Sequence, residues 1–330
     1  MKLGILKAYA EDHLNYVKAC ESMGIDHEII DILLPGWLDR IKDSDCDGFL
    51  CHPPNDIQET KSIYDEKAYI ISKVLNRPIY PNFESLYIYE NKRNMISWLQ
   101  AHDIPHPDSK IFARKADALA FFKNAEFPLV FKTNVGSSAT GVDIVRSASQ
   151  ASRIARKVFG RFHPAMAFGR LKYGGRLKVP MPLFGRMQKH YLIVQQYYNI
   201  KWEWRILKIG NVYAGHQKLL KKGFASGSNE VGWVAPPSEL FDMARQICDL
   251  GGFDCMDVDI FETGDGKFLV NELQTIFGSY NNHQMKKDGV PGIYRFNGDE
   301  YEFIPGDFHQ YGSNVLRIKD FIAKLENRGT

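Results

Sequence analysis

The rhythm of apolar and polar positions changes along the chain, and each change marks an element. Lys2–Lys7 is a short apolar run that reads as a buried strand. Asp12–Met23 then takes helical spacing, with Leu14, Val17, Ala19 and Cys20 apolar and Gly24 placed as a C-cap. His27–Leu33 and Asp47–Cys51 read as two further strands, so the opening predicts a small α/β sheet. That stretch has no G-x-G-x-x-G and is not assigned to dinucleotide binding. Pro78–Phe83, PIYPNF, reads as a connector. Asn91 can then cap a helix whose apolar face is Met95, Ile96, Trp98 and Leu99, and a second short helix spans Asp117–Lys123.

Phe127–Val145, FPLVFKTNVGSSATGVDIV, places a small polar loop between two apolar runs and predicts a hairpin with a mobile tip. Ser149–Phe159 reads as a basic helix, and Tyr191–Tyr198 as a strand ending in QQYY. Trp204–Ile209 and Val212–Leu219 flank Gly210-Asn211, a favoured hairpin turn. Ser238–Leu250 has helical spacing. Met256–Glu262 and Lys267–Leu273 predict a final pair of core strands, and 289–330 a small hairpin with a last helix.

Composition sharpens this picture in one place. Apolar content of 44% with 13% aromatic residues is ample for a folded core. The net charge of +3 hides a strong asymmetry: Ile144–Trp202 has 12 basic residues and no Asp or Glu, leaving 30 basic against 39 acidic elsewhere. The irregular insert 161–189, rich in Gly and Pro, sits inside this segment and suits an anionic partner. Aromatic interleaving is sparse, so nucleic acid is disfavoured. Five cysteines without C-x-x-C predict a reducing, cytoplasmic setting, and no run approaches a membrane span. His190, His216 and His283 lack metal-ligand spacing.

The candidate chemistry is phosphate and metal binding. Gly136, Ser137, Ser138 and Gly141 can bring backbone and hydroxyl donors to a phosphate, with the Lys132 charge beside them. Lys92 stands in the first turn of its helix, where the dipole disfavours a cation unless an anion meets it. Asp257 and Asp259 share one strand face, as do Glu272 and Gln274, so Asp259 and Glu272 can converge across a hairpin and offer hard oxygen ligands to Mg²⁺.

Taken in order, Lys92, Lys132 with its Gly/Ser loop, the QQYY strand end, the E-x-R of Glu203 and Arg205, and the D…E-x-Q of Asp259, Glu272 and Gln274 resemble the ATP-grasp superfamily over about 90–279. The similarity is greatest to the branch of D-alanine–D-alanine ligase, the ribosomal-protein glutamate ligase and glutathione synthetase. The resemblance implies an α/β (α+β) ATP-grasp fold. A Rossmann-like α/β domain would occupy 1–84 and the ATP-grasp domain 85–330, with a lid at about 126–198 and a metal-binding part at 199–330. It implies that Lys92 and Lys132 contact ATP phosphates under a lid loop of Gly136, Ser137, Ser138 and Gly141. Gln195, Gln196, Tyr197 and Tyr198 would form the hinge beside adenine, with Glu203 near the ribose. Arg205 and Lys218 would face the transferred phosphoryl group, and Asn229 the acyl acceptor. Asp259, Glu272 and Gln274 would hold Mg²⁺; Gln274 stands where the family usually has Asn. The implied activity is an ADP-forming carboxylate–amine ligase working through an acyl phosphate, on an anionic small-molecule or peptide acid and an amine. An ATP-grasp kinase and a non-catalytic nucleotide-binding module stay open as alternatives, as does a homodimer.

Overall fold

Apolar strands alternate with amphipathic helices to build the first sheet: β1 (Lys2–Lys7), α1 (Leu14–Met23), β2 (Asp26–Asp31), α2 (Trp37–Asp43), β3 (Gly48–Leu50), α3 (Gln58–Tyr69) and β4 (Ile79–Tyr80). Its strands are parallel in the order β2-β1-β3-β4. The structure is a computed structural model. It describes residues 1–55, 57–136, 140–160, 173–174, 179–180, 188–221, 225, 230–277 and 281–328, with backbone alone at 173, 174, 179 and 180. PIYPNF is more than a connector, because Ile79 and Tyr80 pair with Phe49 and Leu50 as the fourth strand. Two residues between prolines carry no periodicity, so only tertiary pairing shows them as a strand.

After α4 (Phe83–Ile88) comes α5 (Lys92–Ala101), whose first turn differs from expectation. Asn91 occupies the cap position, but its side chain donates to the Tyr87 carbonyl instead of accepting from the helix. Asn134 takes over the capping. Its carbonyl accepts the Lys92 N–H at 3.1 Å and its side-chain oxygen the Arg93 N–H at 2.9 Å. A residue 42 positions away thereby ties the helix start to the glycine loop.

The second sheet is antiparallel. β5 (Ser109–Phe112), β6 (Leu129–Lys132) and β7 (Val142–Val145) join β10 (Leu192–Gln196) in the order β5-β10-β6-β7. α6 (Lys115–Phe122) and α7 (Ala148–Val158) pack on it, and β8 (Tyr173–Gly174) pairs separately with β9 (Val179–Pro180). The predicted hairpin is present, with Lys132 opposite Val142.

The third sheet holds β11 (Ile200–Ile209), β12 (Val212–Lys218), β13 (Val231–Gly232), β14 (Cys255–Thr263), β15 (Phe268–Gln274), β16 (Lys286–Lys287), β17 (Val290–Phe296) and β18 (Tyr301–Pro305). Its main order is β15-β14-β11-β12-β17-β16. α8 (Ser238–Gly251) lies between β13 and β14 in the chain, and α9 (Gln310–Arg328) ends it.

One apolar core joins the first and third sheets. It runs from Leu3, Ile5 and Leu50 through Met95 and Ile96 of α5 to Ile206, Val258 and Leu273, and on to Ile318 and Phe321 of α9. The second sheet has a separate core of Phe122, Leu129, Phe131, Ile154 and Val194. At roughly 25 cal/mol per Å² of apolar area buried, each such cluster sustains its own layer. The five cysteines are buried free thiols. Among the described residues, no helix is long and apolar enough to cross a membrane.

Candidate active site

Strand alternation sorts the third sheet into an apolar and a charged face. Trp204, Ile206, Met256, Val258 and Ile260 fill the core on one side. Glu203 and Arg205 of β11 point the other way, as do Asp257 and Asp259 of β14 and Lys218 of β12. The registers bring them together: Arg205 lies opposite Asp259, Glu203 opposite Lys218, and Asp259 opposite Glu272. The predicted convergence of Asp259 and Glu272 is therefore present, and Gln274 lies opposite Asp257.

These side chains form a buried lattice of alternating charge. Arg205 Nε lies 2.9 Å from Asp257 Oδ2 and 3.5 Å from Asp259 Oδ1. Lys218 Nζ is 2.8 Å from Glu203 Oε1 and also pairs with Asp259. Burial pushes the Asp257 carboxyl up against the pull of Arg205. Burial acts the same way on Asp259, but Lys218 and Arg205 outweigh it and hold that carboxyl below the usual range.

Two lysines reach this face from elsewhere. Lys92, at the start of α5, places Nζ 2.7 Å from Glu272 Oε1 and 3.6 Å from Glu90 Oε2, and donates to the Gly136 carbonyl at 2.9 Å. Burial opposes its charge, yet Glu272 and Glu90 together raise its pKa above the usual value. Lys132, at the end of β6, donates to Asn271 Oδ1 at 2.7 Å. Burial pushes the Lys132 ammonium down to about 8. Lys92 thus meets the anions that its unfavourable place at a helix start called for.

The glycine loop is held at its neck. Gly136 donates its N–H to Glu90 at 2.7 Å, and Gly141 accepts from the Thr133 N–H at 2.9 Å. Gly141 has φ +74, and a Cβ there would lie 1.9 Å from Thr133 Oγ1. Ser137 and Ser138 at the tip, Asn229, and most of the insert 161–189 lie outside the described residues. At the end of β10, Gln195 is buried and donates to Ser109 Oγ at 3.1 Å, so its side chain is engaged with β5. Gln196, Tyr197 and Tyr198 are half-buried beyond it.

Three residues of this cluster escaped the reading of the sequence as site residues. Asp257 was visible on the right face but had no partner until β11 supplied Arg205. Asn271 bridges Lys132 and Glu203, donating to Glu203 Oε2 at 2.8 Å. It would face away in a regular strand. The register shifts between Asp259 and Ile260, which leaves Asn271 as an extra bulged residue beside Glu272. No glycine or proline announces that bulge. Glu90, at φ +48, carries no sequence signature either.

The donor set fits a divalent cation with nucleotide phosphates. Asp259 and Glu272 are hard oxygen donors on paired strands, and four cations surround them. Asp259 Oδ1 and both Asp257 oxygens are buried without a well-aligned hydrogen bond from the described residues, which leaves ligand capacity on the carboxylates. The arrangement can bind polyanions, hold a metal between carboxylates and stabilise negative charge developing in a water-poor place.

No protein-family model matches the chain, and no curated protein matches it in sequence. Solved structures do match. D-cycloserine synthetase DcsG aligns with a TM-score of 0.63 at 16% identity, covering 98% of this chain and 100% of that one. D-alanine–D-alanine ligase from Bacillus anthracis complexed with ATP gives 0.58 at 14% identity over 100% of both chains. A RimK domain protein ATP-grasp from Sphaerobacter thermophilus gives 0.54 at 15% identity, covering 83% of this chain and 90% of that one. Identities this low speak to fold alone, and the fold that this chain shares with all three, the family it resembles, is ATP-grasp.

Proposed function

We propose that the chain is an ATP-dependent, ADP-forming ligase that joins a carboxylate to an amine through an acyl phosphate. The observation that carries this reading is the convergence of Lys92, Lys132, Arg205 and Lys218 on Asp257, Asp259 and Glu272 beside the neck of a glycine loop. The kinship in fold with ligases supports it. In this reading residues 1–84 precede an ATP-grasp module of 85–330, and Gln196–Tyr198 border the adenine.

A carboxylate is a poor electrophile, and phosphorylation activates it. Lys92 and Lys132 hold the phosphates, while Arg205 and Lys218 face the moving phosphoryl group. Cations fixed in advance lower the barrier because they need no reorganisation as charge shifts. Mg²⁺ held by Asp259 and Glu272, with Gln274 beside them, would offset phosphate charge. An oxygen of the acid bonds to the γ-phosphorus as the bond to ADP breaks. The amine nitrogen then bonds to the acyl carbon as the C–O bond to phosphate breaks. Phosphate leaves, and the amine gives up its proton to phosphate or solvent. Asp257 keeps Arg205 aimed at this centre.

Purified protein given ATP, Mg²⁺ and pairs of acids and amines should release ADP and phosphate only when both partners are present. Lys218→Met should lower kcat at least ~100-fold. Steady AMP release in place of ADP would overturn the reading.

A further inference from the structure

The tail from Gln284 onward closes one end of the charged face. Beyond Arg205 the next residue of β11 on that face is Leu207, one strand step of roughly 7 Å away. Ala214 holds the matching place on β12 beyond His216. Met285, Ile293 and Phe308 lie over them and complete a cavity of about 20 Å³. One water-sized sphere takes roughly 10–15 Å³. Its narrow space is therefore on the scale of one or two water molecules, which favours a slim group over a branched or aromatic one.

Its polar wall is a chain of hydrogen bonds that starts beside Arg205. His216 Nδ1 donates to the Gln284 carbonyl at 2.8 Å. The Gln284 amide donates through Nε2 to His309 Nε2 at 3.0 Å, so His309 carries its proton on Nδ1 and donates to Ser313 Oγ at 2.8 Å. Ser313 is presented by backbone at φ +64. The other end of the same amide, Gln284 Oε1, is buried and has no hydrogen-bond partner among the described residues. A buried amide oxygen left unmatched marks a place for an N–H or O–H donor. Among the described residues, the lining holds no Lys, Arg, Asp or Glu. His283 stands at the mouth, its side chain 28% exposed and 3.8 Å from Asp307.

We propose that this cavity seats the acceptor amine, in neutral form, by its nitrogen and first carbon, with an N–H on Gln284 Oε1 and the carbon against Leu207 and Ala214. The proposal rests on the ligase reading and names its amine class: primary, unbranched at the first carbon, with any remainder leaving past His283. A mostly apolar chamber whose described lining has no carboxylate disfavours an ammonium, and the free base is the form that attacks an acyl phosphate. Burial also pushes His309 down to about 4, so it adds no charge of its own near neutrality.

The test needs no turnover. Met285 lines the cavity, and its methyl group reports occupancy by ¹³C NMR of the full chain labelled at methionine, with Met285→Leu assigning the signal. Methylamine should shift that signal saturably, with an apparent affinity rising roughly 300-fold from pH 7.0 to pH 9.5 as the free base grows. Isopropylamine, branched at the first carbon, should bind at least tenfold more weakly. Ala214→Val should abolish the methylamine response. Should that variant not fold, Gln284→Leu decides, with an expected loss of at least tenfold. The proposal is overturned by no saturable shift, by binding that follows the ammonium form, by equal response to both amines, or by folded variants that respond like the parent. ADP release driven equally by both amines would sink the cavity and leave the ligase reading intact. Methylamine binding without any amine-dependent ADP release would do the reverse.

Discussion

Asp257 and Arg205 show how much one buried pair decides. Asp257 is 0% exposed and the Arg205 side chain only 12%, so water does little to replace either partner. Removing one partner of a buried pair strands the other and typically costs about 3–5 kcal/mol. Asp257→Asn keeps the shape and one acceptor oxygen, and Asp259 still neutralises Arg205, so the loss should fall near the lower end. Urea denaturation should show it, together with a fall in kcat larger than any rise in KM for ATP. His216 gives a second residue-scale expectation. Burial pushes its imidazole down to about 3, well below the 6.5 of an exposed histidine. Between these values the unfolded chain binds a proton that the folded chain refuses. Stability is therefore fully present above pH 6.5 and is lost as pH falls through the window. From pH 6.5 to 4.5 the parent should lose about 2 kcal/mol more than His216→Gln; parallel curves for the two would sink this assignment. At this scale the sequence showed the right charges on the right strand faces. It did not show which cation meets which carboxylate, because that depends on register between strands far apart in the chain.

The hairpin of β6 and β7 was readable as an element, since two apolar runs around GSSATG leave few alternatives. Its neck is set by a steric fact that sequence alone does not carry. At Gly141 the backbone is left-handed, and the space a side chain needs is filled by Thr133 Oγ1. Gly141→Ala should cost at least ~2 kcal/mol, from the φ penalty and the clash together. Adding Thr133→Ala removes the hydroxyl that the new methyl would strike, so the double variant should recover part of the loss; simple additivity in thermal melts would argue against the contact. The bulge on β15 is the opposite case. Nothing in FLVNELQ announces it, yet it turns Asn271 onto the charged face, where it joins Lys132 to Glu203. The capping of α5 by Asn134 likewise replaced the expected local cap by a tertiary one, which no window of neighbouring residues could reveal.

Across the whole molecule, the site lies where two apolar cores adjoin, with Ile193 of β10 reaching into the core of the first and third sheets. The first and third sheets share a core, the second sheet has its own, and Lys132 is a polar bridge between them. The order of motifs along the chain predicted which segments meet. The division of the core was not legible, because it depends on which apolar faces pack together. Lys132 is nearly dry and, among the described residues, its ammonium holds one hydrogen bond, to the neutral amide of Asn271, and burial has already drawn its pKa to about 8. Its charge is thus poorly compensated without a phosphate. Lys132→Met keeps the length and apolar stem and removes the penalty, so the ligand-free protein should melt at the same temperature or a few degrees higher. A ligand at 100 times its Kd stabilises the folded state by about 2.7 kcal/mol. ATP with Mg²⁺ should therefore raise the parent's melting temperature, and the rise should vanish in Lys132→Met. Scanning fluorimetry of both proteins, with and without ATP and Mg²⁺, separates the two effects. If Lys132→Met melts well below the parent without ligand, Lys132 is a structural bridge; if it keeps the full ATP-dependent rise, the phosphates are held by other groups.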